Sequence, residues 1–336
     1  MLLLLILNNR SEVPLRRPAP RALMTAVAGI TLVLTACGTP AGSGGGETGD
    51  GTVDVVASTS VYGDIVSIIG GDKVRVTALI SRVSQDPHSY EATTQDKLAV
   101  SKAELIVENG GGYDDFIHKL ADDTGLDHGS LISAVDVSGL APAAADAGSS
   151  AAPDGAGHSH GYGSFNEHVW YSLPAMGRLA DAVAARLADL EPANAETFRI
   201  NAVSFKESLG QLEARLAALK STSDQVPMAV TEPVPLYLLE DAGLENKMPM
   251  AYLAAIEDDA DVPPVVLKDA VDLMGSGAVR LLAYNTQTEG PQTQAVKKAA
   301  EDAGVTVLDF RETLPEGQSY VQWMTANVDS ISAALG

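Results

Sequence analysis

The sequence predicts an α/β protein with two lobes, each a mainly parallel sheet with flanking helices, joined by one long rigid helix. Two observations support this fold class. Short apolar runs alternate with amphipathic runs in both halves of the chain, and one amphipathic run in the middle, 192–220, spans about 29 residues. Alternating strands and helices are typical of parallel sheets that helices cover on both faces. A helix of 29 residues would be about 43 Å long, which suits a connector between two lobes.

In the first half of the chain, glycines separate the predicted strands and helices. Gly70 and Gly71 end a helix, and Gly110 follows the third apolar run. Thr94 is a suitable N-cap for the helix that follows the second strand. We predict strands at 53–58, 74–80, 105–108 and 131–135, and helices at 61–69, 94–102 and 113–124.

The second half repeats the alternation after two long helical runs. The run 192–220 begins at a proline, a favoured first helical residue, and its apolar residues recur at helical spacing. We predict strands at 227–231, 279–284 and 305–310, and helices at 174–190, 192–220, 236–242, 265–274, 292–303 and 320–335. The apolar stripe of the long helix is Phe198, Val203, Phe205, Leu209, Leu212 and Leu216.

The N-terminal stretch predicts export and a lipid anchor. Three arginines precede an apolar run of about fifteen residues, 22–36, which is too short to span a bilayer comfortably. The run ends at Cys37, in a setting that looks like a bacterial lipoprotein signal; a plain secretory signal with an incidental cysteine is the alternative. The predicted segments are a signal peptide at 1–36, a flexible tether at 37–52, an N-terminal lobe at 53–173 with a mobile loop at 140–165, a helical linker at 174–222 and a C-terminal lobe at 223–336.

Composition excludes several classes of partner and site. The chain has 336 residues and a formal net charge of −22, with no basic cluster, so a nucleic-acid partner is not expected. A single cysteine allows neither an intramolecular disulfide nor a cysteine-based zinc site. An acidic surface suits a protein whose ligand is a cation, or it serves solubility alone.

Four residues form a candidate metal-binding set. His88 follows the second strand in Asp-Pro-His-Ser-Tyr-Glu, where Pro87 stiffens the backbone. His168 lies in Asn-Glu-His-Val-Trp, while Glu232 and Glu312 follow strands of the second half. Ligand groups of open α/β sheets gather outside the carboxyl ends of strands. Two imidazoles and two carboxylates suit a borderline divalent transition metal with four to six ligand atoms.

These two histidine motifs, the isolated long helix and the closing Ser-Tyr-Val at 319–321 resemble the zinc/manganese solute-binding proteins of bacterial ABC importers. The resemblance covers about residues 53–336. It implies two α/β lobes bridged by a rigid helix, a metal ion between them, and delivery to a membrane permease driven by an ATPase. Together with the lipoprotein-like signal at Cys37, it implies a binding protein that is anchored on the extracytoplasmic face of the cell membrane and is not an enzyme.

Carried over residue by residue, the resemblance makes His88 the first ligand, His168 the second and Glu232 the third. Zinc members of the family usually have His at the third position, and manganese and iron members usually have Glu. The fourth position is an acid after the last strand, for which Glu312 is preferred and Asp309 is the alternative.

Zinc is the expected ion and manganese a close second. Glu at the third position favours manganese, whereas zinc binds most such sites more tightly, and the His-x-His at His158 and His160 slightly favours zinc. His118 is expected to be an ordinary surface residue, and Trp170 a packing residue beside the site. Two alternative functions are a lipid-anchored metal-dependent hydrolase and a metal-binding adhesin on the same fold. Neither a His-Glu-x-x-His nor a Gly-x-Ser-x-Gly motif occurs in the sequence.

Overall fold

The computed structural model describes residues 51–82, 85, 90–141 and 165–336. Thr48–Gly336 forms one compact unit, and the fold below is that of this unit alone. The predicted signal peptide and lipid-anchor cysteine, most of the tether, His88, and the loop with His158 and His160 lie outside the described residues. Among the described helices, none is long and apolar enough to cross a bilayer.

The first sheet is four-stranded and parallel throughout, as the alternating pattern predicts. Its strand order is β2-β1-β3-β4, so the carboxyl ends of all four strands meet at one edge. Valines, leucines and isoleucines fill the central strands, as expected for strands that helices cover on both faces. The elements are β1 (Val53–Thr59), α1 (Ser60–Gly70), β2 (Val74–Ile80), α2 (Thr94–Val100), β3 (Leu105–Glu108), α3 (Phe116–Thr124), β4 (Leu131–Ser133) and α4 (Ala134–Ser138).

Two helices connect the sheets. They are α5 (Leu173–Leu190) and α6 (Ala195–Ser223), and α6 has the predicted length of 29 residues. The predicted stripe of α6 is wrong at Val203, which is 39% exposed. Ala202 is buried in its place, because it lies four residues after Phe198 and three before Phe205.

The second sheet is also four-stranded and parallel, with the order β6-β5-β7-β8. Two of its elements were not predicted. β6 has only three residues, and α8 reads Met-Ala-Tyr-Leu-Ala-Ala-Ile-Glu, with no polar face to reveal a helical period. The elements are β5 (Val226–Val230), α7 (Leu236–Asp241), β6 (Leu244–Asn246), α8 (Met250–Glu257), α9 (Pro264–Gly275), β7 (Leu281–Asn285), α10 (Pro291–Asp302), β8 (Thr306–Phe310) and α11 (Tyr320–Leu335).

Capping side chains move two predicted boundaries, and a turn that contains glycines moves a third. The N-cap of α2 is Thr93 and not Thr94, since Thr93 and Asp96 form a reciprocal capping box. The predicted strand 131–135 ends at Ser133, whose hydroxyl accepts a hydrogen bond from the Asp136 amide and starts α4. The helix predicted from 113 begins at Phe116, because residues 110–112 are glycines with positive φ that form a turn.

The last helix of the chain returns to the first sheet. The Tyr320 amide donates to Asp64 Oδ2 of α1 at 2.7 Å, and the Tyr320 hydroxyl donates to the Trp170 carbonyl at 2.6 Å. Just before α11, the Leu314 amide donates to Ser60 Oγ at 3.1 Å. These bonds fasten the segment after β8 to the carboxyl edge of the first sheet, so residues from both sheets meet there.

Candidate metal-binding site

Three strands of the second sheet each end in a buried polar residue of the site. Glu232 follows β5 by two residues, Asn285 ends β7, and Glu312 follows β8 by two residues. The side chains are almost fully buried. Because β7 lies between β5 and β8, Asn285 lies between the two glutamates.

The Asn285 amide holds both carboxylates. Its Nδ2 donates to Glu232 Oε2 and, at 2.7 Å, to Glu312 Oε1. The Thr288 hydroxyl donates to the other oxygen of Glu232. Gln287 fixes the backbone beneath Glu312, since its Oε1 accepts from the Glu312 amide at 2.7 Å and from the Thr313 amide at 2.8 Å. The loop after β7 therefore orients the two acids side by side.

The alternative fourth ligand, Asp309, lies elsewhere. It is an exposed residue near the end of β8, and its Oδ1 is 3.8 Å from Lys297 Nζ. Glu312, in contrast, is 1% exposed and shares the Asn285 amide with Glu232. The structure thus brings Glu312 next to Glu232 and leaves Asp309 in a surface contact.

His168 is oriented by its own segment. Asn166 Oδ1 accepts from the His168 backbone amide at 3.1 Å and contacts His168 Nδ1 at 2.7 Å. An amide oxygen can only accept, so Nδ1 carries the proton and Nε2 carries the lone pair that a metal ion would use. The Asn166 Nδ2 group donates to the carbonyl of Pro233 at 3.0 Å, and the Tyr237 hydroxyl donates to the Asn166 carbonyl at 2.6 Å. The histidine is thereby tied to the residue after Glu232.

Aromatic residues connect His168 to Glu312. The Tyr113 hydroxyl donates to Glu312 Oε2 at 2.9 Å. The Tyr113 ring lies edge-on to His168, with centroids 5.9 Å apart, and packs on Trp170 at 4.8 Å. Asp114 holds the turn before Tyr113 by accepting from two backbone amides. Tyr113 thus bridges from the first sheet to a carboxylate of the second.

Two further acids lie beside His168. One ligand atom each of Glu167, His168 and Glu257 lie within 4.8 Å of one another. Burial, with nearby Asp114 and Glu312, raises the pKa of Glu167 to about 8. Burial, with Glu232, Glu167 and Glu312, raises the pKa of Glu257 well above its usual value. A divalent cation would relieve the part of both shifts that comes from repulsion by neighbouring acids.

Of the four predicted ligands, the structure gathers His168, Glu232 and Glu312 through these shared partners, and His88 lies outside the described residues. Sequence reasoning did not find the groups that hold them. An Asn at the end of β7, between two strands that lead to acids, was the available signal for Asn285. No comparable signal existed for the others: Tyr113, Asn166, Glu257, Gln287 and Thr288.

His118 is exposed, as expected of a surface residue. Its Nε2 is 2.9 Å from Oε1 of the buried Glu108. Trp170 is buried and packs against His168 with ring centroids 5.1 Å apart, which confirms its predicted packing role.

The arrangement was compared with known proteins. The profile of the family described as "Zinc-uptake complex component A periplasmic" (ZnuA) matches residues 55–334, which is most of the chain. The chain belongs to the ZnuA family. Members of this family are substrate-binding components of transport systems, and the chain is not an enzyme.

Relatives and solved structures agree with this assignment. The manganese-binding lipoprotein MntA of Bacillus subtilis is 26% identical over 295 residues, covering 85% of this chain and 87% of MntA. The manganese ABC transporter substrate-binding lipoprotein ScaA of Streptococcus gordonii is 26% identical, covering 84% of this chain and 89% of ScaA. A crystal structure of ZnuA aligns with a TM-score of 0.66 at 22% identity, covering 85% of this chain and all of that one. The periplasmic zinc-binding protein TroA of Treponema pallidum aligns with the same TM-score at 18% identity, with the same coverage. The ZnuA-family fold confirms the predicted fold class.

Proposed function

We propose that this protein captures a divalent transition metal ion outside the cytoplasm and delivers it to the permease of an ABC importer. The observation that carries the proposal is the pair of buried carboxylates, Glu232 and Glu312, held side by side by one amide and linked through Tyr113 to the ring of His168. Buried like charges placed together are costly without a counter-ion. A metal ion supplies that charge, and the family supplies the transport role.

The donor set that we propose is His88, His168, Glu232 and Glu312. His168 would bind through Nε2, since Asn166 engages Nδ1. Each glutamate can bind through one or both oxygens, so the shell can hold four to six ligand atoms. Asn166, Asn285 and Thr288 would orient the ligands from behind, as hydrogen-bonding partners of metal ligands commonly do.

For the identity of the ion, we propose that zinc binds most tightly and manganese next. The stability order of divalent metals at nitrogen and oxygen sites places zinc above manganese. The two carboxylates are hard ligands that suit manganese, and the relatives MntA and ScaA are named for manganese. Selection between the two ions would therefore rest on geometry and ligand number more than on raw affinity.

For localisation, we propose that Cys37 becomes the lipid-bearing first residue of the mature protein and anchors it to the extracytoplasmic face of the cell membrane. The basic region and short apolar run before Cys37 support this proposal. MntA and ScaA are both named lipoproteins. Cys37→Ala should release the protein from the membrane fraction while leaving its metal affinity unchanged.

The proposal is tested by metal analysis and competitive chelator titration of the purified protein. We expect about one zinc or manganese ion per chain. His168→Ala should lower metal affinity by more than about 100-fold, because losing a ligand should cost more affinity than losing a hydrogen-bonding partner of a ligand. His118→Ala is the matched control, since His118 pairs with Glu108 outside the site. Wild-type protein that binds neither ion, or a His168→Ala variant that binds like wild type, would refute the proposal.

A further inference from the structure

Glu257 is an acid at the site that the predicted ligand set does not include. It is the last residue of α8, a helix that is anchored through the buried Tyr252 and Leu253. Although α8 belongs to the second half of the chain, the Glu257 carboxylate lies with His168 and Glu167 of the first half, all three within 4.8 Å of one another. Glu257 therefore brings a carboxylate of the second half next to a histidine of the first half.

The spacing of this trio fits a shared ion. Metal–nitrogen and metal–oxygen bonds of about 2.0–2.2 Å place three ligand atoms that surround one ion evenly at most about 3.8 Å apart. A contraction of at most about 1 Å would bring the three atoms to that spacing. The trio mixes an imidazole with carboxylates, and Asn166 already holds Nδ1, which leaves Nε2 as the nitrogen for an ion.

Of the two acids in the trio, Glu257 also lies near a predicted carboxylate ligand. Glu257 and Glu232 line one cavity of about 700 Å³, together with Gln287 and Thr288, which hold the neighbouring ligands. Glu257 thus lies between the histidine side and the carboxylate side of the site.

We propose that Glu257 is an additional carboxylate ligand of the metal cargo and biases the site toward manganese over zinc. This inference rests on the proposed function and deepens it. A third carboxylate makes the shell harder and raises the number of available ligand atoms. Manganese accepts oxygen-rich shells of six ligands, whereas zinc most often takes four, so manganese gains more from the added oxygen.

The test compares Zn²⁺ and Mn²⁺ affinities of wild type, Glu257→Gln and Glu257→Asp by competitive titration. Glu257→Gln keeps the shape of the side chain and removes its charge. We expect it to weaken Mn²⁺ binding about tenfold and Zn²⁺ binding about twofold, so that the zinc-over-manganese ratio rises about fivefold. X-ray absorption of the manganese-loaded Glu257→Gln variant should show one oxygen neighbour of the metal fewer than in manganese-loaded wild type. Glu257→Asp retains a carboxylate, and we expect it to restore part of the manganese affinity.

Asp258→Asn is the matched control, because it removes the same charge from the adjacent exposed residue. Melting temperatures of all variants identify any loss of folding. Unchanged affinities for both ions in Glu257→Gln would overturn the inference, and so would equal losses for both ions. Failure of the proposed function is distinguishable, since in that case wild type itself would bind neither metal.

Discussion

On the side of the first sheet, the Asn166 amide holds His168, whereas on the side of the second sheet one amide, Asn285, serves two carboxylates. A histidine must be neutral to bind a metal ion, and the orientation of this one is fixed by a residue two positions earlier in the chain. The two acids must be ionised to bind an ion, come from strands far apart in sequence, and are held through a residue on the strand between them.

This difference indicates that the histidine side and the carboxylate side contribute differently to metal binding. A neutral imidazole held by a local contact supplies a fixed position for the ion at little electrostatic cost. Two carboxylates held together supply charge, and their repulsion is relieved only when a cation arrives. The histidine side therefore defines where an ion binds, and the carboxylate side determines how strongly charge favours it.

Next to the removal of a whole ligand in His168→Ala, the largest effect is expected when a ligand on the carboxylate side loses its charge. Glu312→Gln should lower metal affinity about 100-fold, because a charged ligand is lost while its shape is kept. Asp309→Asn should change affinity less than about twofold, since Asp309 is exposed and contacts Lys297. Chelator competition on both variants measures the difference. If Asp309→Asn caused the larger loss, the assignment of the fourth ligand would be reversed.

The next-largest loss of metal affinity is expected when the Asn285 side-chain amide is removed. Asn285→Ala removes the donor that Glu232 and Glu312 have in common, so we expect affinity to fall about 30-fold, within the range known for partners of metal ligands. Thr286→Ala is the control, since its hydroxyl bonds to the Phe310 carbonyl and to neither acid. The same titration applies, and equal affinities of the two variants would show that the acids need no common donor.

Loss of the amide beside the histidine should matter less. Asn166→Ala frees His168 to rotate and to exchange tautomers, and we expect about a tenfold loss of affinity. Asn201→Ala removes a similar side-chain amide that bonds to the Ile69 carbonyl away from the site. If Asn166→Ala lost more metal affinity than Asn285→Ala, the histidine side and not the carboxylate side would depend more strongly on the residue that holds its ligands.

The smallest effect concerns a buried acid on the first-sheet side that lies outside the ligand set. Burial, with Asp114 nearby, raises the pKa of Glu108 from 4.5 to about 9. The folded protein therefore keeps a proton that the unfolded chain releases. This contribution to stability is complete below pH 4.5 and is lost as the pH rises toward 9.

Glu108→Gln, which mimics the protonated acid, should raise the melting temperature by a few degrees at pH 8 and by little at pH 5. Because Glu108 lies outside the ligand set, the gain should be the same with and without bound metal. Scanning calorimetry at both pH values, with and without zinc, measures it. An equal shift at pH 5 and pH 8 would contradict the burial of a protonated carboxyl group.

Much of the fold was predictable because its signals are local. The limits of β2 and α11 were predicted without error, and α6 was shifted by three residues, since apolar periodicity and flanking polar residues define such elements. The start of α2 was missed because capping depends on side-chain geometry, and the start of α3 was missed because the turn before it extends to Asp115. Helix α8 was missed because its sequence has no polar face.

The residues of the site also fall into those that the sequence could predict and those that it could not. His168, Glu232 and Glu312 could be selected because each follows or precedes an ordered element in a recognisable setting, and their role as ligands stays a prediction. Asn285 was not selected although it follows a predicted strand, and Glu257 could not be selected, because their importance depends on which strands are neighbours and where α8 packs. Those are properties of tertiary structure that one sequence does not display.

The return of α11 to the first sheet has a consequence for biogenesis. Ser60 and Asp64 are synthesised long before Leu314 and Tyr320, which bond to them. The first sheet therefore leaves the ribosome without the contacts that later fasten it beside Glu312. These contacts can form only after the chain has been synthesised through Tyr320, so the two sheets are fastened together late in biogenesis.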